Sequence, residues 1–225
     1  MSDTPDYGQA FALWRARAPE WEAYTHHAFV EGLRTGTLPT VNFLHYLRQD
    51  YIFLIHFARA WALAAAKGET LAEIQATAAT MQALAYHEMP LHVQICANAG
   101  IDAAALEATE EASANLAYTR YVLEAGYSGD FLDLMAALAP CVLGYGEIGT
   151  RLKGSGGRYC DWINTYAGEG YQDLCRDVGA LIDNALIYRL GPDWVSLPRA
   201  RQLSRRFATA IRLEVGFWQM GLDGA

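Results

Sequence analysis

The stretch LAPCVLGYGEIG, residues 138–149, sets a thiol and a phenol four residues apart, at Cys141 and Tyr145. On a helix that spacing puts both on one face. Gly144 stands beside that face and leaves room there. Pro140 removes a helical hydrogen bond, crowds the carbonyl of Ala136 and should bend the helix. A pocket lined by sulfur and phenol is the chemical reading. Plain packing is the alternative, because a buried cysteine is usually an inert small hydrophobe. A thiol attacks carbon as thiolate, so a catalytic Cys141 needs a proton donor or acceptor from elsewhere in the chain.

Two carboxylates have suitable surroundings. Asp50 lies inside LRQDYIFLIHF, with Phe53 and Phe57 at i+3 and i+7. A carboxylate beside aromatic rings suits an amine-bearing heteroaromatic ring: the rings stack and the carboxylate takes the N–H protons. Glu214 in AIRLEVGFWQM has Phe217 and Trp218 at i+3 and i+4. Aromatic walls raise a carboxyl pKa, as general acid–base work requires. The plain alternatives are a surface aspartate and a solvated glutamate paired to Arg212. Tyr118 and Tyr166 are weaker signals, since tyrosines in helical proteins are mostly packing residues. YHEMPLH invites a metal reading, with Glu88 and His92 four apart. His87 and His92 are five apart, so this is not H-E-x-x-H, and no Glu-x-x-His pair of the di-iron kind is present. His92 is expected to be a satisfied helix histidine, with no metal and no organic cofactor in the protein.

Helices must position these groups. Thr4 and Pro5 look like a cap and first helical residue, and Pro19 opens a second helix that runs to the RTGTLP turn. Thr40 caps a long apolar segment over 41–67, ending at Gly68, with Phe43, Leu47, Leu54, Phe57 and Trp61 at helical steps. A helical stretch then runs to Gly100, kinked or split at Pro90. A helix over Ala112–Ala125 follows, and Ser128 caps the helix that carries Cys141. KGSGGR is a loop. Two shorter helices fill 159–190, and Ser196 begins a last helix to Gly221. With no repeat and no linker, residues 1–225 read as one all-α domain of about seven or eight packed helices.

Composition narrows the partners. Of 225 residues, 52% are hydrophobic and 19% charged, and the net charge is −8. No Lys/Arg cluster stands out, which argues against nucleic acid or an anionic membrane as main partner. No uninterrupted apolar run reaches the roughly 18 residues of a membrane span. Met1–Ala10 has no signal-peptide pattern, and four cysteines without C-x-x-C spacing fit a reducing cytoplasm.

The motifs together resemble the TenA family, also called thiaminase II or aminopyrimidine aminohydrolase. The likeness runs through HAFVEGLRTGTLP, through Phe43, Tyr46, Gln49 and Asp50, through EMPLH at Glu88–His92, SGDF, LAPCVLGYGEIG and YCDWINTYAG, to Glu214, Phe217, Trp218 and Met220. It implies a heme-oxygenase-like helical bundle without heme, usually a homotetramer. It implies hydrolysis of a 4-amino-5-aminomethyl-2-methylpyrimidine to the 5-hydroxymethyl compound for thiamin salvage, and in many members cleavage of thiamin itself. By motif, Cys141 matches the nucleophile that adds at ring carbon 6, Glu214 the acid–base residue and Asp50 the carboxylate on the amidine edge. Tyr118, Tyr145 and Tyr166 match pocket tyrosines, and Phe53 and Phe217 would sandwich the ring. Phe53 replaces a tyrosine found in another member, and CVLGYGE carries smaller residues than the more aromatic versions. The competing readings are a non-catalytic pyrimidine-binding or regulatory relative and a metal-dependent oxidase on the same fold.

Overall fold

In a computed structural model that describes residues 5–155 and 157–224, every regular element is helical. The chain begins with α1 (Gln9–Arg17), α2 (Trp21–Thr25) and α3 (Ala28–Thr35), then the long α4 (Thr40–Lys67). Next come α5 (Leu71–Ala83), a wide π turn over Leu84–Glu88, α6 (Met89–Asn98) and the short α7 (Ala103–Glu107). The middle holds α8 (Ser113–Ser128), α9 (Phe131–Ala139), a second π turn over Pro140–Gly144, and α10 (Tyr145–Leu152). It closes with α11 (Cys160–Ala167), α12 (Glu169–Leu190) and α13 (Pro198–Asp223).

Both internal prolines widen a helix rather than end it. Pro140 has no N–H to give and crowds the carbonyl one turn back. The backbone relaxes into a π turn, which costs less than a break when neighbours can serve the released carbonyls. They do so here. Tyr24 Oη donates to Pro140 O at 3.1 Å, Tyr171 Oη to Val142 O at 3.3 Å, and Cys175 Sγ to Val142 O at 3.5 Å. The π turn before Met89–Pro90 is the same device on a second helix.

The continuous helical segment Phe131–Leu152 is the centre of the bundle. By length and composition it could cross a membrane, with mean hydropathy 1.4 over its most apolar stretch, which is 94% buried. A search for an unbroken apolar run passes over this segment because Asp133 interrupts it, and folding pairs Asp133 with Arg199 at 2.7 Å and Arg206 at 3.0 Å. α4 crosses this centre and buries Phe43, Leu47, Leu54, Phe57 and Trp61, the positions read from its periodicity. α8 and α13 complete the inner layer, and α12 is tied to α5 where Arg189 grips Glu73.

Several expected boundaries move, each for a local reason. Thr4 lies outside the described residues; Pro5 precedes the first helix, which starts at Gln9. The helix opened after Pro19 is two pieces, divided at His26–His27. Thr40 is the first residue of α4, with Pro39 in the cap position. Ser128 ends α8; the cap of α9 is Asp130, which forms a reciprocal capping box with Asp133. Ser196 falls in a short turn, and Pro198 opens α13, as its fixed φ favours. α12 is 22 residues long and not short, and α7 was not expected.

Gly149 lets α10 lie against α11. A Cβ there would sit 2.5 Å from the backbone carbon of Tyr166, which has no free rotamer to yield. Gly149→Ala is therefore expected to destabilise by about 1–3 kcal/mol despite alanine's better helix propensity. A urea midpoint no lower than wild type would contradict this close approach.

Candidate active site

Five helices and both π turns bring the chemical groups together. α4 contributes Tyr46, Asp50 and Phe53, α8 Tyr118, α10 Tyr145, α11 Trp162 and Tyr166, and α13 Glu214, Phe217 and Trp218. The π turns contribute Cys141 and Glu88. Asp50, Tyr118, Cys141, Tyr145, Tyr166 and Glu214 are all buried, so the plain surface readings of Asp50 and Glu214 fail. Arg212, the partner considered for Glu214, points to solvent and bonds Thr209.

The contacts are specific. Tyr118 Oη donates to Glu214 Oε1 at 2.9 Å. Tyr46 Oη donates to Asp50 Oδ2 at 3.4 Å, and His92 Nδ1 stands 2.9 Å from the same oxygen as an ion pair, off the line of an ideal hydrogen bond. Tyr166 Oη donates to Glu88 at 2.7 Å. Tyr145 touches Tyr166, Trp162 and Trp218, with ring centroids 5.1, 6.1 and 5.3 Å away. Gln49, beside Asp50, serves the fold: its side chain binds Glu110 O and the Ala112 N–H.

Two expectations change. The room at Gly144 is taken by Tyr24, whose ring would lie 2.5 Å from a Cβ built there. Gly144 thus admits a tyrosine that caps Pro140 O, and does not open the pocket. Phe53 and Phe217 do face one another, but at 5.5 Å and tilted by 57° they touch. A planar ring between two others needs about 7 Å, twice the contact distance, so a sandwiched ligand has to part them.

The electrostatics favour protons on the site. Burial, and then the charge of Asp50, push Glu214 up to about 8, with the Tyr118 bond opposing. Cys141 is raised well above the ordinary thiol range by burial, then by Glu214, Glu88 and Asp50. No cation faces the sulfur to offset them, so the resting group is the thiol. Burial works against charge on His92, yet Asp50 and Glu88 outweigh it and raise its pKa. Glu88 is raised by burial, with His92 pulling the other way. Among the described residues no three His, Cys, Asp or Glu side chains converge as a metal would require.

Cys141, Glu214 and Asp50 line none of the open surface hollows described here. One hollow of about 470 Å³ is lined by Glu88, Thr165, Tyr171 and Asp177. It ends against Tyr171, whose hydroxyl reaches the Cys141 carbonyl at 3.5 Å. Sequence reasoning missed Tyr24, Tyr46, Glu88, His92, Trp162 and Tyr171 as members of the site. Usable signals were the i,i+4 spacings of Tyr46 with Asp50 and of Glu88 with His92.

Known proteins resemble the chain along nearly its whole length. The profile of the TENA/THI-4/PQQC family matches residues 14–224. A crystal structure described as a TenA family transcription regulator from a Silicibacter species is 60% identical, with TM-score 0.95 and 99% of each chain covered. An aminopyrimidine aminohydrolase of Halalkalibacterium halodurans is 36% identical, covering 95% of each chain. An uncharacterized protein of Haemophilus influenzae is 38% identical over 91% of this chain and 94% of its own length.

The raised Glu214 makes stability depend on pH. The folded state keeps this proton up to about pH 8, whereas an unfolded chain releases it in the ordinary glutamate range. The stabilisation is complete at low pH, falls as pH rises between those values, and is gone above about 8. Glu214→Gln lacks this ionisation, so it should lose less stability than wild type between pH 5 and 8.5. Parallel urea curves across that range would contradict the raised pKa.

Proposed function

The chain belongs to the TENA/THI-4/PQQC family, and we propose that it is the aminopyrimidine aminohydrolase this family contains. The reaction is hydrolysis of 4-amino-5-aminomethyl-2-methylpyrimidine to the 5-hydroxymethyl pyrimidine, which returns the ring to thiamin synthesis. The observation that carries this reading is that Cys141 and Glu214, residues far apart in sequence, are both buried and near enough for the Glu214 charge to raise the thiol's pKa. Each acts electrostatically on the other's surroundings. Support also comes from the hydrolase of Halalkalibacterium halodurans at 36% identity.

The steps follow from the groups present. Direct attack of water on the C5–CH2–N bond is slow. Cys141 instead adds through sulfur to ring carbon 6, and the thiol proton passes to a ring nitrogen. Addition from the thiol suits a site whose carboxyls disfavour a free thiolate. Glu214, a carboxylic acid below about pH 8, gives its proton to the exocyclic amine. The ring electrons expel ammonia and leave an exocyclic methylene. Water adds to that carbon and returns a proton to Glu214. The C–S bond then breaks, sulfur recovers the ring-nitrogen proton, and aromaticity is restored. Splitting the displacement in two lowers its barrier, and one carboxyl serves as acid and then base. Asp50 takes the 4-amino N–H, and the phenols of Tyr118, Tyr145 and Tyr166 stay protonated, since burial raises all three.

Thiamin fits the same course, with neutral thiazole as leaving group and no proton needed at that step. The regulatory reading has less support. Folding does gather Arg17, Arg201, Arg205 and Arg212 around one hollow, where the linear sequence had suggested no cluster, but Glu20 sits among them. Four arginines there fall short of the basic stripe of a nucleic-acid binder. For the homotetramer, the support is Leu71, Ile74, Ile187 and Tyr188, exposed beside the apolar groove between α5 and α12.

Cys141→Ser is expected to lower kcat/KM at least about a thousandfold while the helical spectrum is kept. Near-normal turnover would remove the nucleophile. Glu214→Gln is expected to cost about a hundredfold or more with the aminopyrimidine and distinctly less with thiamin, whose departing group needs no proton. Equal losses on both substrates would contradict the acid role. In wild type, kcat/KM for the aminopyrimidine should decline above about pH 8.

A further inference from the structure

A histidine that the proposed reaction does not use lies against Asp50. His92, on α6, is 1% exposed, and its Nδ1 stands 2.9 Å from Asp50 Oδ2. Tyr46 Oη donates to that same oxygen. Among the described residues none donates to Oδ1, the other oxygen. His92 Nε2 is enclosed as well and meets no hydrogen-bond partner. A histidine kept only for packing would be expected to satisfy both nitrogens.

The charged and titratable groups around His92 are few. Asp50 and Tyr46 face it from α4. Glu88 lies one turn back at i−4, held by Tyr166 of α11. Cys96 lies one turn on, under the influence of Asp50 and Arg48. Acidic groups dominate this set, and they raise the pKa of the ring against the cost of its burial.

Deepening the pyrimidine-pocket reading, on which it rests, we propose that His92 is a positioning residue: an imidazolium that keeps Asp50 ionised and fixes Oδ2, so that Oδ1 is presented to the 4-amino N–H of the substrate. The physical need is plain. An aspartate enclosed by aromatic rings takes up a proton unless a cation answers its charge. A protonated Asp50 would turn a donor toward the substrate's own donor. The protein supplies the cation in the form least exposed to competition, a buried ring fixed on the adjacent helix.

The test uses calorimetric binding of 4-amino-5-hydroxymethyl-2-methylpyrimidine, with 15N-histidine NMR on the same proteins. Wild type should bind with little change between pH 6 and 8 and show both His92 ring nitrogens protonated at pH 7.5. His92→Leu should weaken binding about a hundredfold, with the loss in kcat/KM expressed chiefly in KM. His92→Asn keeps an N–H near Nδ1 without the charge; it should bind less tightly than wild type throughout pH 6 to 8. In Asp50→Asn, His92 should lose its charge at pH 7.5. Should His92→Leu fail to fold, the asparagine variant and the NMR states decide. A neutral His92 in wild type, or a Kd in His92→Asn equal to that of wild type across the pH range, overturns the proposal. A wild type that fails to bind the pyrimidine at all overturns the pocket reading instead, and this inference with it.

Discussion

A carboxyl group without water takes up a proton unless a neighbour forbids it. Asp50 and Glu214 are buried with one thiol among aromatic rings, with Glu88 close by at the foot of a surface hollow, and the rest of the site is an answer to that constraint. Glu214 meets a phenol and no cation, and holds its proton. Asp50 meets His92 at 2.9 Å, a ring whose pKa the surrounding acids raise. One carboxyl is thus left holding a proton while another is given a basic ring as neighbour, which suits a reaction in which one group donates a proton and another accepts an N–H. The thiol, surrounded by acid, rests uncharged; in the proposed reaction it gives up its proton as its bond to carbon forms.

The backbone meets a parallel constraint. A helix buried on every side has no water for a stray carbonyl, yet two helices carry prolines that release carbonyls. Each resolves the conflict with a π turn, and each turn holds a site residue, Glu88 in one and Cys141 in the other. Tyr24, Tyr171 and Cys175 then serve the carbonyls around the nucleophile. These caps come from α2 and α12, so the position of the sulfur depends on how outer helices pack against the central one. The small residues nearby reflect the same crowding: Gly144 admits Tyr24, and Gly149 admits the backbone of Tyr166.

Much of this was legible in the chain. The helical steps of α4, the aromatics at i+3 and i+7 from Asp50 and at i+3 and i+4 from Glu214, and Pro140 beside Cys141 are local patterns with direct physical meaning, and folding buries all three of Asp50, Cys141 and Glu214. What could not be read depended on partners distant in sequence. His92 was set aside because its spacing fits no metal motif, while its partner lies on another helix. Gly144 suggested open space because nothing local announces Tyr24. Ser128 and Ser196 were plausible caps that lost to a capping box and to a proline, each two residues on. The contact between Phe53 and Phe217 is a property of the closed chamber, and no linear pattern encodes it.

The account stands on sulfur reaching one ring carbon. A crystal structure of Cys141→Ser with 4-amino-5-aminomethyl-2-methylpyrimidine bound tests that most directly. Ring carbon 6 should lie within about 3.5 Å of the serine oxygen, with the aminomethyl nitrogen beside Glu214 and Phe53 and Phe217 parted around the ring. A ring seated outside this chamber, or one whose carbon 6 faces away from position 141, would contradict it.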